Sequence, residues 1–220
     1  MSYPTLNRSK KRSDRPAEGV QVRILEEETE LIVSVDEAKT HAKIDYDGDD
    51  TLIEQLIRTV TSKAEDFTQR AILRKTIRIE WERFNDYAVM PLPPHVLVES
   101  VEQYEAGSDT WEDVDTYTVR GEEIKTLRVT SVSNSFTTTG YIDVSIRATV
   151  LVGYDPADYS ASVSEDSPAN PLPQKVKDAI LDSVTFLYQN RGEIGVDGQG
   201  KIDCALTPVS KSLLSSLRIL

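Results

Sequence analysis

The sequence predicts an α+β fold, mainly α: a small helical bundle with an inserted antiparallel β-rich lobe and a C-terminal tail helix. Three observations carry that prediction. Apolar residues recur at helical spacing over about 34–73 and again over 172–191. Between them, over about 75–154, apolar and polar residues alternate in short runs separated by turn residues. Leu213, Leu214, Leu217 and Leu220 then form a last helical row at the end of the 220 residues.

The elements follow in order. Residues 1–23 hold Arg8, Lys10, Lys11, Arg12, Arg15 and Arg23 against Asp14 and Glu18, a net +4 in a chain of formal charge −12, so the rest carries −16. Few large apolar side chains accompany these charges, and a mobile basic arm is expected over 1–30. Ser34 with Glu37 three residues on is a capping-box pattern that opens a short helix. An acidic turn, Asp45-Tyr46-Asp47-Gly48-Asp49-Asp50, leads into a longer helix. Leu52, Ile53, Leu56, Ile57, Val60, Ala64 and Phe67 make its apolar stripe, and Asp49 or Asp50 suits its N-cap.

Ile77, Ile79 and Trp81 alternate as a half-buried strand does. Pro91-Leu92-Pro93-Pro94 predicts an extended connector before Val96, Val98 and Val101, because proline continues neither a helix nor a central strand. Tyr117–Val119 and Leu127–Val129 flank Arg120-Gly121-Glu122-Glu123 as a hairpin, and Ile142, Val144 and Ile146 lead into a run ending at Gly153-Tyr154. Short turns rather than crossover helices join these strands, which predicts antiparallel pairing. Asp155–Asn170 reads as a long surface loop. Pro173 then opens and Gly192 closes a helix striped by Val176, Ala179, Ile180, Val184, Leu187 and Tyr188. The leucine row after Thr207-Pro208 either packs on its own domain or inserts into another subunit.

Little in the sequence points to catalysis. A calcium loop needs glycine at its sixth position and glutamate at its twelfth; counted from Asp45 these are Asp50 and Leu56. The acidic turn therefore reads as helix-capping charge rather than a metal site. His41 and His95 stand in no ligand spacing and read as surface or rim residues. The chain has neither a nucleotide-binding Gly-x-x-x-x-Gly-Lys-Ser/Thr loop nor a Gly-x-Ser-x-Gly nucleophile elbow. The single cysteine, Cys204, lacks a basic neighbour, and one cysteine forms no internal disulfide. No apolar run approaches the roughly 18 residues of a membrane span, and the N-terminus has no apolar signal core. A non-enzyme without cofactor, metal or membrane partner is expected, made in a cytoplasm. An acidic body does not hold the DNA backbone, which is bound by Lys and Arg in number.

Three stretches together resemble the head-tail connector (adaptor) proteins of tailed bacteriophages and gene transfer agents. The first runs from Val35-Asp36-Glu37-Ala38-Lys39 through Asp50-Thr51-Leu52-Ile53 to Glu65-Asp66-Phe67-Thr68-Gln69-Arg70-Ala71-Ile72, similar to the family's two N-terminal helices; Gln69 stands where the family commonly has glycine. The second is Pro91–Pro94 leading to Val98, Val101 and Tyr104, and the third is Pro173–Arg191, similar to the last long helix. Leu213-Leu214-Ser215-Ser216-Leu217-Arg218 keeps the leucines and arginine of a family ending but lacks its proline and aromatic residue.

The resemblance implies a connector domain over 31–204 and a docking segment over 205–220. It implies a structural virion neck protein that forms a ring, usually of twelve subunits, beneath the portal protein. Such a ring joins head to tail, presents a platform for a stopper or tail-completion protein, and leaves a channel that DNA traverses without sequence-specific binding. Portal-docking candidates are Leu213, Leu214, Leu217, Arg218, Ile219 and Leu220. The alternatives are another neck component, a stopper or tail terminator, and a metal-dependent nucleic-acid enzyme built on Asp45–Asp50.

Overall fold

A computed structural model describes residues 19–82, 84, 87–105, 109–122, 124–129, 145–156, 169–190 and 206–219. Its elements in chain order are β1 (Val20–Glu27), α1 (Val35–Ala42), α2 (Asp50–Thr68), β2 (Lys75–Trp81), β3 (Tyr87–Val89) and β4 (His95–Glu105). They continue with β5 (Thr110–Asp113), β6 (Tyr117–Arg120), β7 (Thr126–Val129), β8 (Ile146–Val152), α3 (Gln174–Gln189) and α4 (Pro208–Ser215). The α+β class holds, but helix does not predominate: the described residues contain four helices and eight strands. The expected 1–30 arm also ends early. Val20–Glu27 pairs antiparallel with β2, placing Val20, Val22 and Ile24 opposite Trp81, Ile79 and Ile77. Pairing with an existing strand satisfies β1's backbone on one side, an effect that apolar content alone does not reveal. Residues 1–18 lie outside the described residues.

Two apolar cores divide the molecule. In the first, Ile53, Ile57, Val60 and Ala64 of α2 meet Val176, Ala179, Ile180 and Val184 of α3, with Leu214 and Leu217 from the C-terminal segment. These positions are the stripes read from helical spacing. Ser34 caps α1 by accepting from the Glu37 amide at 3.2 Å. Asp49 stands at the N-cap of α2 without a side-chain cap bond; its carboxylate instead accepts from the Tyr188 hydroxyl at 2.7 Å, tying α2 to α3. At the other end, Gln69 adopts φ 58°, and its amide bonds the Glu65 carbonyl at 2.8 Å. The left-handed backbone there explains why glycine suits this position.

The second core lies between two sheets. A five-stranded sheet has the order β1-β2-β8-β4-β5, and a three-stranded sheet the order β3-β7-β6. All their pairings are antiparallel. Ile77, Ile79, Trp81, Ile146, Ala148 and Val150 pack against Phe84, Met90, Leu127 and Val129. In β4, Val98 lies opposite Val150 and Val101 opposite Ala148. Three residues apart, these valines share one face only because the register shifts between Val98 and Ser100. The expected hairpin forms between β6 and β7. Gly153, at φ 95°, is required after β8, since a Cβ there would lie 2.3 Å from the Leu73 carbonyl oxygen. Pro91–Pro94 makes a bent connector containing a cis Pro93–Pro94 bond. His95 is buried rather than at the rim. Its Nε2 lies 2.9 Å from the Pro91 carbonyl, and its Nδ1 accepts from the Lys125 amide at 3.3 Å, so Nε2 carries the proton.

Ile142, Val144, Gly192, Cys204 and most of the 155–170 loop lie outside the described residues. The base of that loop is closed, with the Asp155 amide donating to the Asn170 carbonyl at 2.9 Å and the Asn170 amide to the Asp155 carboxylate at 2.8 Å. Among the described residues, no helix is long and apolar enough to cross a membrane.

Candidate functional site

The C-terminal segment is the first candidate, and its sequence explains its seat. Thr207 caps α4 by accepting from the Ser210 amide at 3.0 Å, with Pro208 in the first turn. Thr207 Oγ1 donates to Asp182 at 2.5 Å, and Ser183 Oγ donates to Ser210 Oγ at 2.8 Å. The Ala179 carbonyl lies 2.9 Å from Ser210 Oγ. A buried polar cluster thus locks the start of α4 onto α3, and its groups satisfy one another. Further on, Arg70 Nε donates to the Leu217 carbonyl at 2.5 Å and the Ile219 amide to the Thr68 carbonyl at 3.1 Å.

This seat changes the docking expectation. Leu214 is fully buried and Leu217 nearly so, both within the chain's own bundle core, so they form no exposed leucine face. Burial of each contributes on the order of 1.5–3 kcal/mol, which favours retention in the bundle. Leu213 and Ile219 are half-buried, and Arg218 is exposed with its guanidinium 5.4 Å from the centre of the Phe67 ring. Leu220 lies outside the described residues. Val209 of α4 and Phe186 of α3 are the largest exposed apolar groups on these two helices.

The acidic turn is organised around a lysine. Lys39 of α1 donates to Asp47 and, at 2.9 Å, to Asp50. The hydrogen bond to Asp47 and then that to Asp50 hold the Lys39 ammonium above the ordinary lysine range. Accepting from Lys39 lowers the Asp47 carboxyl. A protein cation thus sits between two of the carboxylates that the enzyme alternative needs, while Asp49 holds Tyr188. His41 is exposed, its Nδ1 3.0 Å from Thr185 Oγ1.

A third group escaped sequence reading: the joint from Arg70 to Lys75, which connects bundle and sheet. Arg70, Arg74 and Lys75 are all buried. Glu65 Oε1 accepts from the Ile72 and Leu73 amides at 2.7 and 3.1 Å, while Lys75 Nζ reaches Glu65 at 3.0 Å and Glu27 at 2.9 Å. Burial alone pulls Lys75 down, but Glu27 and Glu65 outweigh it and leave the ammonium raised. Arg74 pairs with Asp155 at the foot of the long loop. Only the placing of Arg70 and of Arg74-Lys75 on either side of the apolar run Ala71-Ile72-Leu73 hinted at this; their partners are remote in sequence.

Residues 32–103 match the family described as phage gp6-like head-tail connector protein. Among curated proteins there is no significant match. Among solved structures, the fold is similar to a chain in the neck of an empty gene transfer agent particle with C6 symmetry, at TM-score 0.61 and 15% identity. It is similar to a chain of the virion of a native gene transfer agent particle at TM-score 0.62 and 14% identity. A chain from the neck of a native particle with C12 symmetry gives TM-score 0.57 at 16% identity. Each of these likenesses covers 91% of this chain and 96% of the other.

Proposed function

We propose, from the premise that residues 32–103 are a phage gp6-like head-tail connector domain, that this chain is a structural neck protein of a tailed, phage-like particle. In this reading it is the adaptor: copies close into a ring, twelve by analogy with the C12 neck, beneath the portal at the head-tail junction. The observation that carries the reading is the connector match coupled to a fold likeness to neck chains that covers 91% of this chain, well beyond the matched 32–103.

The charge suits a conduit. Twelve copies at −12 each place on the order of −140 formal charges about the axis, so a passing polyanion is repelled rather than held. The same repulsion opposes ring closure at low salt, so apolar or ion-paired contacts must offset it. For portal docking, Leu213, Arg218, Ile219 and Leu220 remain candidates, whereas Leu214 and Leu217 hold the bundle. Truncation at Thr207 also strips the bundle core, so surface variants give the cleaner test. Electron microscopy of the protein mixed with purified portal is expected to show a ring beneath the portal. Leu213→Asp combined with Arg218→Glu is expected to abolish that ring density below the variant's melting transition, which itself falls because Leu213 packs against the first core. Portal complexes that form normally with this double variant would remove the docking assignment. Particles that join head and tail without this chain would remove the adaptor reading.

A further inference from the structure

Strand β1 ends the five-stranded sheet, and no strand lies beside its outer edge among the described residues. The register decides which backbone groups that edge presents. The Glu82 amide donates to the Gly19 carbonyl at 3.0 Å, so Gly19 turns toward β2. Successive residues of a strand turn their N–H and C=O to opposite sides. Gln21 and Arg23 therefore also face β2, while Val20, Val22 and Ile24 point theirs outward. The bulge between Ile24 and Glu26 ends this series. Beyond it the Glu28 amide donates to the Arg74 carbonyl at 3.1 Å, so even-numbered residues there turn inward. The free edge in constant register is thus residues 20–24.

This stretch is apolar where it is poorly covered. Val22 and Ile24 are 41% and 51% exposed, on the face where they stand opposite Ile79 and Ile77. An exposed apolar edge is a template for another strand, and proteins normally guard it with charge or bulges. Here the bulge and Glu26-Glu27 guard only the C-terminal end. Val20-Gln21-Val22-Arg23-Ile24 alternates apolar and polar residues symmetrically about Val22. Two such edges laid antiparallel, Val22 facing Val22, bring Val20 opposite Ile24 of the second copy and Gln21 opposite its Arg23. Val20, Val22 and Ile24 then match their outward donors and acceptors on both strands. A slip of one residue sets outward-facing groups against inward-facing ones, and a slip of two loses a facing pair. In the matched register the two Glu26 residues lie about 26 Å apart, eight residues at roughly 3.3 Å each, beyond the screening length of about 10 Å in 0.1 M salt.

We propose that two copies of this chain associate through residues 20–24 of β1 about a two-fold axis at Val22, joining two five-stranded sheets into one. The occupant is a second copy because the apolar spacing, the outward backbone groups and the Gln21–Arg23 pair complement themselves. Such an isologous contact closes on itself and does not propagate. It therefore holds copies that are outside any ring, and it is independent of the neck reading. Five residues a side make a small interface, under the roughly 1,200 Å² of stable complexes, so dissociation at tens to hundreds of micromolar is expected.

Sedimentation equilibrium of the full-length protein tests this, from about 10 to 500 µM in about 300 mM salt, where the charge of −12 per copy is screened. Monomer and dimer in exchange are expected. Val22→Lys sets two ammonium groups at the axis and is expected to weaken association about tenfold or more, while far-ultraviolet circular dichroism keeps the wild-type spectrum. Register is read in a Cys204→Ser background. Copies with Gln21→Cys mixed with copies with Arg23→Cys are expected to form disulfides about tenfold faster than either variant alone, because only the mixture sets cysteines face to face. A monomer at every concentration, larger oligomers without a dimer, association untouched by Val22→Lys, or equally fast cross-linking in the single-variant samples would each overturn the proposal.

Discussion

Single side chains sort into those that hold the bundle and those left on its surface, and burial separates them. Leu214→Ala removes a fully buried side chain from the first core and is expected to cost about 2–5 kcal/mol, lowering the melting temperature by roughly 5–15 °C. Arg218→Ala, on an exposed side chain, is expected to stay within about 0.5 kcal/mol. Thermal unfolding followed by circular dichroism distinguishes the two. Glu102 gives a pH signature. Its two oxygens accept from Arg147 at 2.6 and 2.5 Å, and that guanidinium lies 4.3 Å from the centre of the Trp111 ring. The Arg147 hydrogen bonds hold the Glu102 carboxyl below its ordinary 4.5. A lowered carboxyl stabilises the folded state above the ordinary value and loses that contribution as pH falls through the lowered one. Glu102→Gln is therefore expected to be less stable at pH 7, by about 1 kcal/mol or less. Its stability is expected to fall less steeply than wild type below pH 4.5 in urea titrations.

Among the elements, the α2–β2 junction shows how local and long-range requirements meet. The chain must leave α2 through a left-handed residue so that Ile72 and Leu73 can donate to Glu65. Gln69 accepts that backbone at some cost, partly offset by its side-chain amide donating to the Asp66 carbonyl at 2.7 Å. Gln69→Gly is expected to raise stability by about 0.5 kcal/mol, measured by denaturant midpoint at constant slope. Helix existence was legible because α2 and α3 each repeat their apolar residues at 3.6-residue spacing. Strand β1 carries a strand's alternation in Val20, Val22 and Ile24, but the basic run before it masks that signal, and pairing with β2 is what settles it. Likewise, nothing near His95 in sequence announces that the Pro91 carbonyl and Lys125 amide will enclose it.

At the scale of the whole molecule, a net charge of −12 opposes association of copies at low salt. If rings form from bodies of net −12, raising salt from about 20 to 300 mM is expected to favour the ring over the monomer in sedimentation experiments. The opposite trend would mean that ion pairs dominate the subunit contacts. The bundle and the sheets are joined through buried Arg74 and Lys75. Removing Glu65 there leaves a cation poorly compensated, so Glu65→Ala is expected to cost about 3–5 kcal/mol in a urea titration.

The helix stripes, the antiparallel character of the lobe, the acidic body and the family likeness were all legible from the order of residues. Each is written in spacing or composition that survives without knowledge of neighbours. That Leu214 and Leu217 belong to the chain's own core, that the acidic turn closes on Lys39, and that β1 borders the sheet emerged from the folded arrangement alone. Those outcomes depend on which distant surfaces meet, and an amphipathic segment fits a foreign groove and its own bundle by the same pattern.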